Sequence, residues 1–425
     1  MYFTITSGTI YLIIVGILFL LFVRAVCRND IIGEQIGIID KCVIISLFVH
    51  IIWAFLVDLL SHEGYEYLVM DDETYHKFAM GLIKYKDLYD GNIYHLFLHS
   101  LYRIFGQTTA NGRIVNLFFS VVTIYPLATI ENRLNKKTKY NATKFYAFSP
   151  FVVFISYFEI KDICLTFLFV SSYALVKRLI EKKSILYLSL LIIICFFSEQ
   201  IREGTGVLPV SILVLSYIRF LGVNRCQRKV FGFICTVIVL GMAIYIGRDY
   251  LQYGNYRVDQ YQRWIVSQFS NSSLYSKFVI TKITDIWKMP FCFLLYTLQP
   301  LDMLSGNMRF FSEFGMLAKV VDVPILFFSI FFITGYVKKE KWNSLFFLIM
   351  YAFTSCINLT NARQGFFLYP IMYLMFFDGL LSIKENESSN IKTSIFKNEH
   401  NIKCAITVFS FLWLIFLLYR FIHKI

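Results

Sequence analysis

GTIYLIIVGILFLLFVRAV, residues 8–26, decides the class of fold. Its one charge, Arg24, lies near its end, and the run approaches the ~20 apolar residues that cross a bilayer as a helix. Similar runs follow at 42–61, 112–130, 144–158, 163–178, 184–198, 206–221, 230–247, 317–336, 343–359, 364–383 and 404–422, so we expect about twelve spans. No charged stretch precedes residues 8–26 and no small-residue cleavage site follows them, so they read as a retained span rather than a signal peptide.

Composition points the same way. The 425 residues are 57% hydrophobic, 18% aromatic and 16% charged, where a soluble domain carries about a quarter charged residues. The mean hydropathy is +0.60. A soluble fold is thereby excluded. Seven Pro, 21 Gly and no low-complexity tract exclude a disordered or fibrous chain. The expected fold class is all-α, a polytopic helical membrane protein. The nine Cys show no CxxC and no paired spacing, so neither a disulfide framework nor a zinc site is expected.

A net charge of +13 would suggest nucleic acid in a soluble chain. Here the Lys and Arg sit in short runs between apolar segments, so they report topology, and no nucleic-acid partner is expected. Basic runs at Arg24/Arg28/Lys41, 133–139, 177–183, 219–229, 338–341 and 384–403 follow alternate spans. The positive-inside rule places them all in the cytoplasm. The opposite face then collects 62–111, 159–162, 199–205, 248–315 and 358–363. Within the first of these, Asp72–Tyr85 and Ile93–Phe105 are apolar on one side yet too short and polar to cross, which predicts interfacial helices. Four regions result: an N-terminal span and loop (1–41), a membrane core (42–247), a long outer loop (248–316) with a re-entrant candidate at 291–298, and C-terminal helices (317–425).

Candidate chemistry lies on the outer face. VMDDETYHKFAMGL (69–82) crowds Asp71, Asp72 and Glu73 at a membrane surface. Like charges and partial desolvation raise the pKa of at least one carboxyl, which suits a general base or a divalent metal ligand. The same acids also suit a helix N-terminus. In SYFEIKDICL (156–165), Glu159 and Asp162 share a helical face if the next helix begins there. SEQIREGTG (198–206) offers Arg202, able to grip a phosphate bidentately. Arg363 opens a span and suits either a phosphate or an interface anchor. Arg257 and Arg263 stand among Tyr256, Tyr261 and Trp264 in the long loop. His95 and His99 are spaced for a metal pair, with no third ligand nearby in sequence.

Asp72-Glu73-Thr74-Tyr75 resembles the Asp-Glu-x-Tyr signature of the GT-C membrane glycosyltransferases. The order of features is similar too: an acidic motif and interfacial helices in one large loop, then a second acidic motif, here Glu159-Ile160-Lys161-Asp162. The stretch 105–128, with Gly106, Arg113 and Asn116, looks like the segment that bacterial members place ahead of their next helix. The resemblance covers roughly residues 42–210, and the span at 8–26 is extra to it. It implies an enzyme that moves a sugar or oligosaccharide from a polyprenyl-(di)phosphate carrier to a glycan or lipid acceptor, in assembly of O-antigen, capsule or exopolysaccharide. Asp72, Glu73, Asp71, Glu159 and Asp162 would then be catalytic, and Arg202, Arg363, Arg257 and Arg263 would hold the phosphate. A divalent metal ion, were one used, would fall to Asp72, Glu159 and Asp162. The implied location is the bacterial cytoplasmic membrane, with the site facing outside. A Wzy-type polysaccharide polymerase is the neighbouring resemblance, with the same substrate class. A lipid-linked saccharide flippase or other transporter would instead need polar residues at mid-membrane depth and internal repeats, whereas here the polar candidates gather at one face.

Overall fold

The computed structural model describes residues 6–31, 33–60, 70–85, 92–134, 139–182, 184–202 and 205–217, short pieces at 287–288, 291, 317–329, 343 and 346–351, and residues 362–387 and 399–424. The expected span 230–247, nearly all of the loop 248–316 with Arg257 and Arg263, and most of the span 343–359 lie outside the described residues. Every regular element among the described residues is helical: α1 (Ser7–Arg28), α2 (Gly33–Leu60), α3 (Met70–Ala79), α4 (Ile93–Phe105), α5 (Thr109–Val122), α6 (Ile124–Leu134), α7 (Asn141–Phe148), α8 (Pro150–Ile155), α9 (Lys161–Lys182), α10 (Ile185–Ile201), α11 (Val207–Tyr217), α12 (Asp322–Ser329), α13 (Tyr369–Glu387) and α14 (Glu399–Lys424), with a 3-10 turn at Ala362–Leu368.

Among the described residues, four stretches are long and apolar enough to cross a membrane: Ser7–Arg28, Gln35–Leu56, Thr109–Leu134 and Lys161–Lys182. The shorter apolar helices Ile185–Ile201, Val207–Ser216, Gly365–Leu381 and Cys404–Ile415 accompany them. The chain is thus an all-helical protein of membrane character, and its helices are less uniform than twelve equal spans. Proline accounts for two of the departures. The stretch 109–134 breaks into α5 and α6 at Thr123, three residues before Pro126, which has no N–H to give to the carbonyl of residue 122. The expected span 144–158 is two short helices, because Pro150 pushes Ser149 out of the helical region, to φ −58° and ψ 122°. Ser149 repairs the break: its Oγ accepts from the Val152 N–H at 3.1 Å and donates to the Asp322 carboxylate at 2.8 Å. Tyr373 OH donates to the same carboxylate. A broken helix at membrane depth is tolerated where neighbours satisfy the freed backbone groups.

α9 is the central helix, flanked by α5, α6, α10, α11 and the 3-10 turn, with α1 and α2 packed against α5 and α6 and Phe19 of α1 meeting Phe167 of α9 edge to face. Its 22 residues span about 33 Å, close to the hydrocarbon thickness of a bilayer. This sorts the polar groups to two ends. At one end, Gly8 of α1 lies against Phe105 of α4 so tightly that a Cβ there would fall 1.8 Å from the Phe105 carbonyl oxygen. Nearby, Thr9 Oγ1 donates to Asn111 at 2.9 Å. α1 is therefore built into the bundle. At the other end of α1, Arg24 pairs with Asp40 at 2.6 Å, Asp30 pairs with Arg133 and Arg178, and Arg133 reaches Glu181. Three of the basic runs read as topology signals thus meet at one end, held by three acids, Asp30, Asp40 and Glu181, that the positive-inside reading passes over.

The two ion pairs differ in burial, so they differ in worth. Arg24 and Asp40 are 33% and 22% exposed at the side chain, Asp30 and Arg178 only 4% and 3%. Removing one member of a buried pair strands the other charge, at a cost of about 3–5 kcal/mol. A solvent-touched pair contributes about 1 kcal/mol at most. In thermal unfolding of the detergent-solubilised chain, Asp30→Ala is expected to lower the midpoint strongly and Arg24→Ala only slightly.

A buried carboxylate pair as the candidate active site

The end opposite the Asp30 cluster holds the sequence candidates. α3 and α4 pack on each other there, beside α5 and the turn 156–160 that joins α8 to α9. α4 has the bounds expected of the interfacial helix 93–105, buries Tyr94, His95, Leu98, Leu101 and Tyr102, and leaves Leu96, Phe97 and Ile104 exposed. Asn92 caps its start, accepting the Tyr94 N–H at 3.1 Å. His95 and His99 each spend Nδ1 on local backbone. His95 Nδ1 accepts from the Asn92 N–H, while His99 Nδ1 bonds the Ala79 carbonyl and so ties α4 to α3.

The turn 156–160 is held from α5. Asn116 donates to the carbonyls of Phe158, at 2.6 Å, and Ile160, at 2.9 Å, and accepts from Tyr94 OH at 2.8 Å. Between those two carbonyls the chain presents Glu159. Its backbone N–H donates to Asp72 Oδ1 at 2.6 Å, joining the two acidic motifs across 87 positions of sequence. Its Oε1 accepts from Tyr102 OH at 2.8 Å, and Tyr102 OH also lies 2.8 Å from His76 Nδ1. Asp72 and Glu159 are each 1% exposed. One oxygen of each, Asp72 Oδ2 and Glu159 Oε2, is buried with no hydrogen-bond partner among the described residues.

Burial and the neighbouring Glu159 charge push the Asp72 carboxyl up from 3.8 to about 7, against the opposing pull of Arg113. Relative to a carboxyl in water, the ionised form is disfavoured by about 4 kcal/mol, so both forms are populated near neutral pH. The same surroundings hold the Tyr102 phenol well above its ordinary value. Arg113, 5% exposed, donates to Tyr157 OH at 2.5 Å and stacks over that ring at 4.3 Å. It lines a small cavity with His50, Ala54, Ile114, Leu117, Ser156 and Tyr157.

The remaining candidates separate. Glu159 and Asp162 do not share a helical face: Glu159 lies in the turn, Asp162 in the first turn of α9, and Asp162 pairs with Arg202 at the end of α10. Glu73 points away from the pair and bridges to Lys77 one helical turn on, both side chains more than a third exposed. Asp71 lies in α3 and Arg363 in the 3-10 turn 362–368, with side chains outside the described residues. Among the described residues no three His, Cys, Asp or Glu side chains converge as a metal would require. Asp162 is paired with Arg202, away from Asp72 and Glu159, and no step is derived through a metal.

Sequence reading missed Tyr102, His76 and Gly112. His76 stands four residues from Asp72, on the same helical face, which is a usable signal. Tyr102 is one of 28 Tyr and carries none. Gly112 leaves the space that Glu159 fills, since a Cβ there would lie 2.6 Å from the Glu159 carboxyl carbon.

Set against known protein families, curated proteins and solved structures, the chain matches none of them.

Gly112 allows stability and site geometry to be separated. Alanine is favoured over glycine inside a helix by about 1 kcal/mol. Pressing a Cβ into the buried Glu159 carboxyl costs about 1–3 kcal/mol in return, so Gly112→Ala is expected to leave the unfolding midpoint near wild type or modestly lowered, while it displaces the Glu159 carboxyl from Tyr102. Loss of fold in this variant, in place of a displaced carboxyl, would show that Gly112 serves the packing of α5 instead.

Proposed function

We propose that the chain is an integral-membrane glycosyltransferase of the GT-C kind, acting on a sugar or oligosaccharide carried by a polyprenyl phosphate or diphosphate. The observation that carries this reading is the Asp72–Glu159 contact. Two acidic motifs far apart in sequence meet in a buried site beside an amphipathic helix, and one carboxyl of the pair is tuned to neutrality. A base works best when its pKa lies near the working pH.

In the proposed reaction a hydroxyl oxygen of the acceptor attacks the anomeric carbon. The bond from that carbon to the carrier phosphate oxygen breaks, and its electron pair leaves on the phosphate. The hydroxyl proton passes to Asp72. Negative charge grows on the leaving phosphate, so a fixed cation there stabilises the transition state more than the ground state. Arg202 is our candidate for that cation, being held by Asp162 and still 20% exposed at its side chain. Arg363, Arg257 and Arg263 remain proposals of the same kind from sequence. Glu159 orients Asp72 through its backbone N–H, and Glu73 and Asp71 have no assigned step.

The distribution of polar groups supports a transferase over a carrier. Asp322, an ionisable residue within the expected span 317–336, is taken up by Ser149 and Tyr373 as a packing contact. The end that carries Asp72 would face outside, because the arginines of the Asp30 cluster mark the opposite end as cytoplasmic. A cysteine placed at position 73 is expected to react with a membrane-impermeant maleimide in intact cells. Labelling only after permeabilisation would reverse the orientation and remove an external donor.

The catalytic test is Asp72→Asn, which keeps shape and loses the acceptor of the proton. In cells lacking the chain and complemented with the variant, transfer is expected to fall ~10²–10⁴-fold, with lipid-linked saccharide accumulating and protein abundance unchanged. Near-normal transfer would take Asp72 out of the reaction.

A further inference from the structure

The Asp162–Arg202 ion pair ties the first turn of α9 to the end of α10, and its two members sit differently. The Asp162 side chain is 2% exposed and that of Arg202 is 20% exposed, so what contact the pair has with its surroundings belongs to the guanidinium. An anion can therefore reach Arg202 without first displacing Asp162. Asp162 follows Glu159 by three residues, which sets the pair beside the candidate active site.

Arg202 is held twice. Its guanidinium donates to the Asp162 carboxylate. Its backbone leaves α10 extended, at φ −146° and ψ 118°, and the turn that follows fixes it there. The Arg202 N–H donates to the Ser198 carbonyl at 2.9 Å, and Thr205 Oγ1 lies 2.7 Å from that carbonyl and 2.6 Å from the Arg202 carbonyl. Gly206 N–H donates to Glu199 at 2.9 Å, and a Cβ on Gly206 would fall 2.7 Å from the Cys195 carbonyl oxygen, so the fold-back needs glycine. Opposite charges alone would complement the two helix ends. This turn goes further: it fixes where the arginine starts, and Asp162 fixes where its fork points.

The charges complete the argument. Arg202 and Asp162 cancel each other, so an arriving anion meets oriented N–H donors with little net charge behind them. A carrier phosphate gains one negative charge when the sugar leaves, because its ester bond breaks and the electron pair stays on the phosphate oxygen. The donors still meet that charge as it grows in the transition state. A lone arginine would also hold the finished product more tightly than the donor, and a tightly held product slows turnover. We propose that Arg202 and Asp162 form a charge-balanced seat for the phosphate of an isoprenoid carrier, in which Asp162 is a positioning residue that aims the guanidinium and cancels its charge, letting the product phosphate leave. That the carrier delivers a sugar rests on the function proposed above; the balance of charge at the seat does not.

Equilibrium binding to the purified full chain in phosphatidylcholine nanodiscs tests the seat with two probes. Farnesyl phosphate is a dianion at about pH 8, and its methyl ester is a monoanion. In the wild type the two are expected to bind within about threefold of each other. Asp162→Asn keeps an oxygen to accept from Arg202 and removes the charge, so farnesyl phosphate should bind about tenfold tighter and its ester should gain less. Asp162→Ala, which loses the acceptor as well, should bind both probes less tightly than Asp162→Asn. Arg202→Gln should weaken farnesyl phosphate about tenfold or more. Asp162→Asn binding farnesyl phosphate no tighter than the wild type would leave Asp162 a packing partner and overturn the proposal. If that variant does not accumulate, the wild type decides: a dianion preferred about tenfold over its ester overturns the proposal equally. Dioleoyl phosphatidate bound as tightly as farnesyl phosphate, and lost in Arg202→Gln, would give the seat to bulk lipid and overturn the assignment to a carrier. Absence of sugar transfer with these affinities as expected would overturn only the function proposed above, and transfer with unchanged Asp162→Asn affinities only the seat.

Discussion

Three hydrogen bonds on one side chain set the position of everything else at the candidate site. Asn116, buried in the middle of α5, grips the carbonyls on either side of Glu159 and is itself fixed by Tyr94 of α4. A turn at the end of a helical pair would ordinarily satisfy its carbonyls with water. Here an amide supplies both bonds, so the turn can be buried. Only a buried turn can place a backbone N–H on Asp72 and a carboxyl under Tyr102. The elevated proton affinity of Asp72 therefore traces back to a neutral residue that touches neither of its oxygens.

Much of the architecture was readable from the order of residues, and the parts that were not share a cause. α4 runs over the residues its amphipathic pattern marks, because a short helix with one apolar face has a single way to bury it. α9 runs past the apolar stretch 163–178 into charged ends, Lys161, Asp162 and Lys182, which helix formation accepts and a hydropathy count rejects. The break at Ser149 was visible as a proline, yet an average over apolar residues is blind to it. Asp322, which closes that break, comes 173 positions later.

The site divides in the same manner. Residue type singled out Asp72, Glu159, Asp162 and Arg202, since acids and arginines beside apolar spans are costly and few. Pairing was beyond reach: Glu73 and Asp72 are neighbours in a motif, and only the rotation of α3 sends one to Lys77 at the surface and the other beneath Glu159. Tyr102 and His76 escaped notice because aromatic residues are the background of this chain.

The Asp30 cluster bears on how the protein is made. Arg24 and Asp40 lie 16 positions apart, within the hairpin of α1 and α2, and can meet as soon as that hairpin enters the membrane. Asp30 lies at the tip of the same hairpin, but its partners come 103 and 148 positions later, and Thr9 waits 102 positions for Asn111. α1 is thus made before these partners and seated late. Until α6 and α9 have been inserted, the hairpin has to sit in lipid with Asp30 still facing water at the membrane surface, and the bundle closes around a helix that entered the bilayer ahead of the groups that hold it.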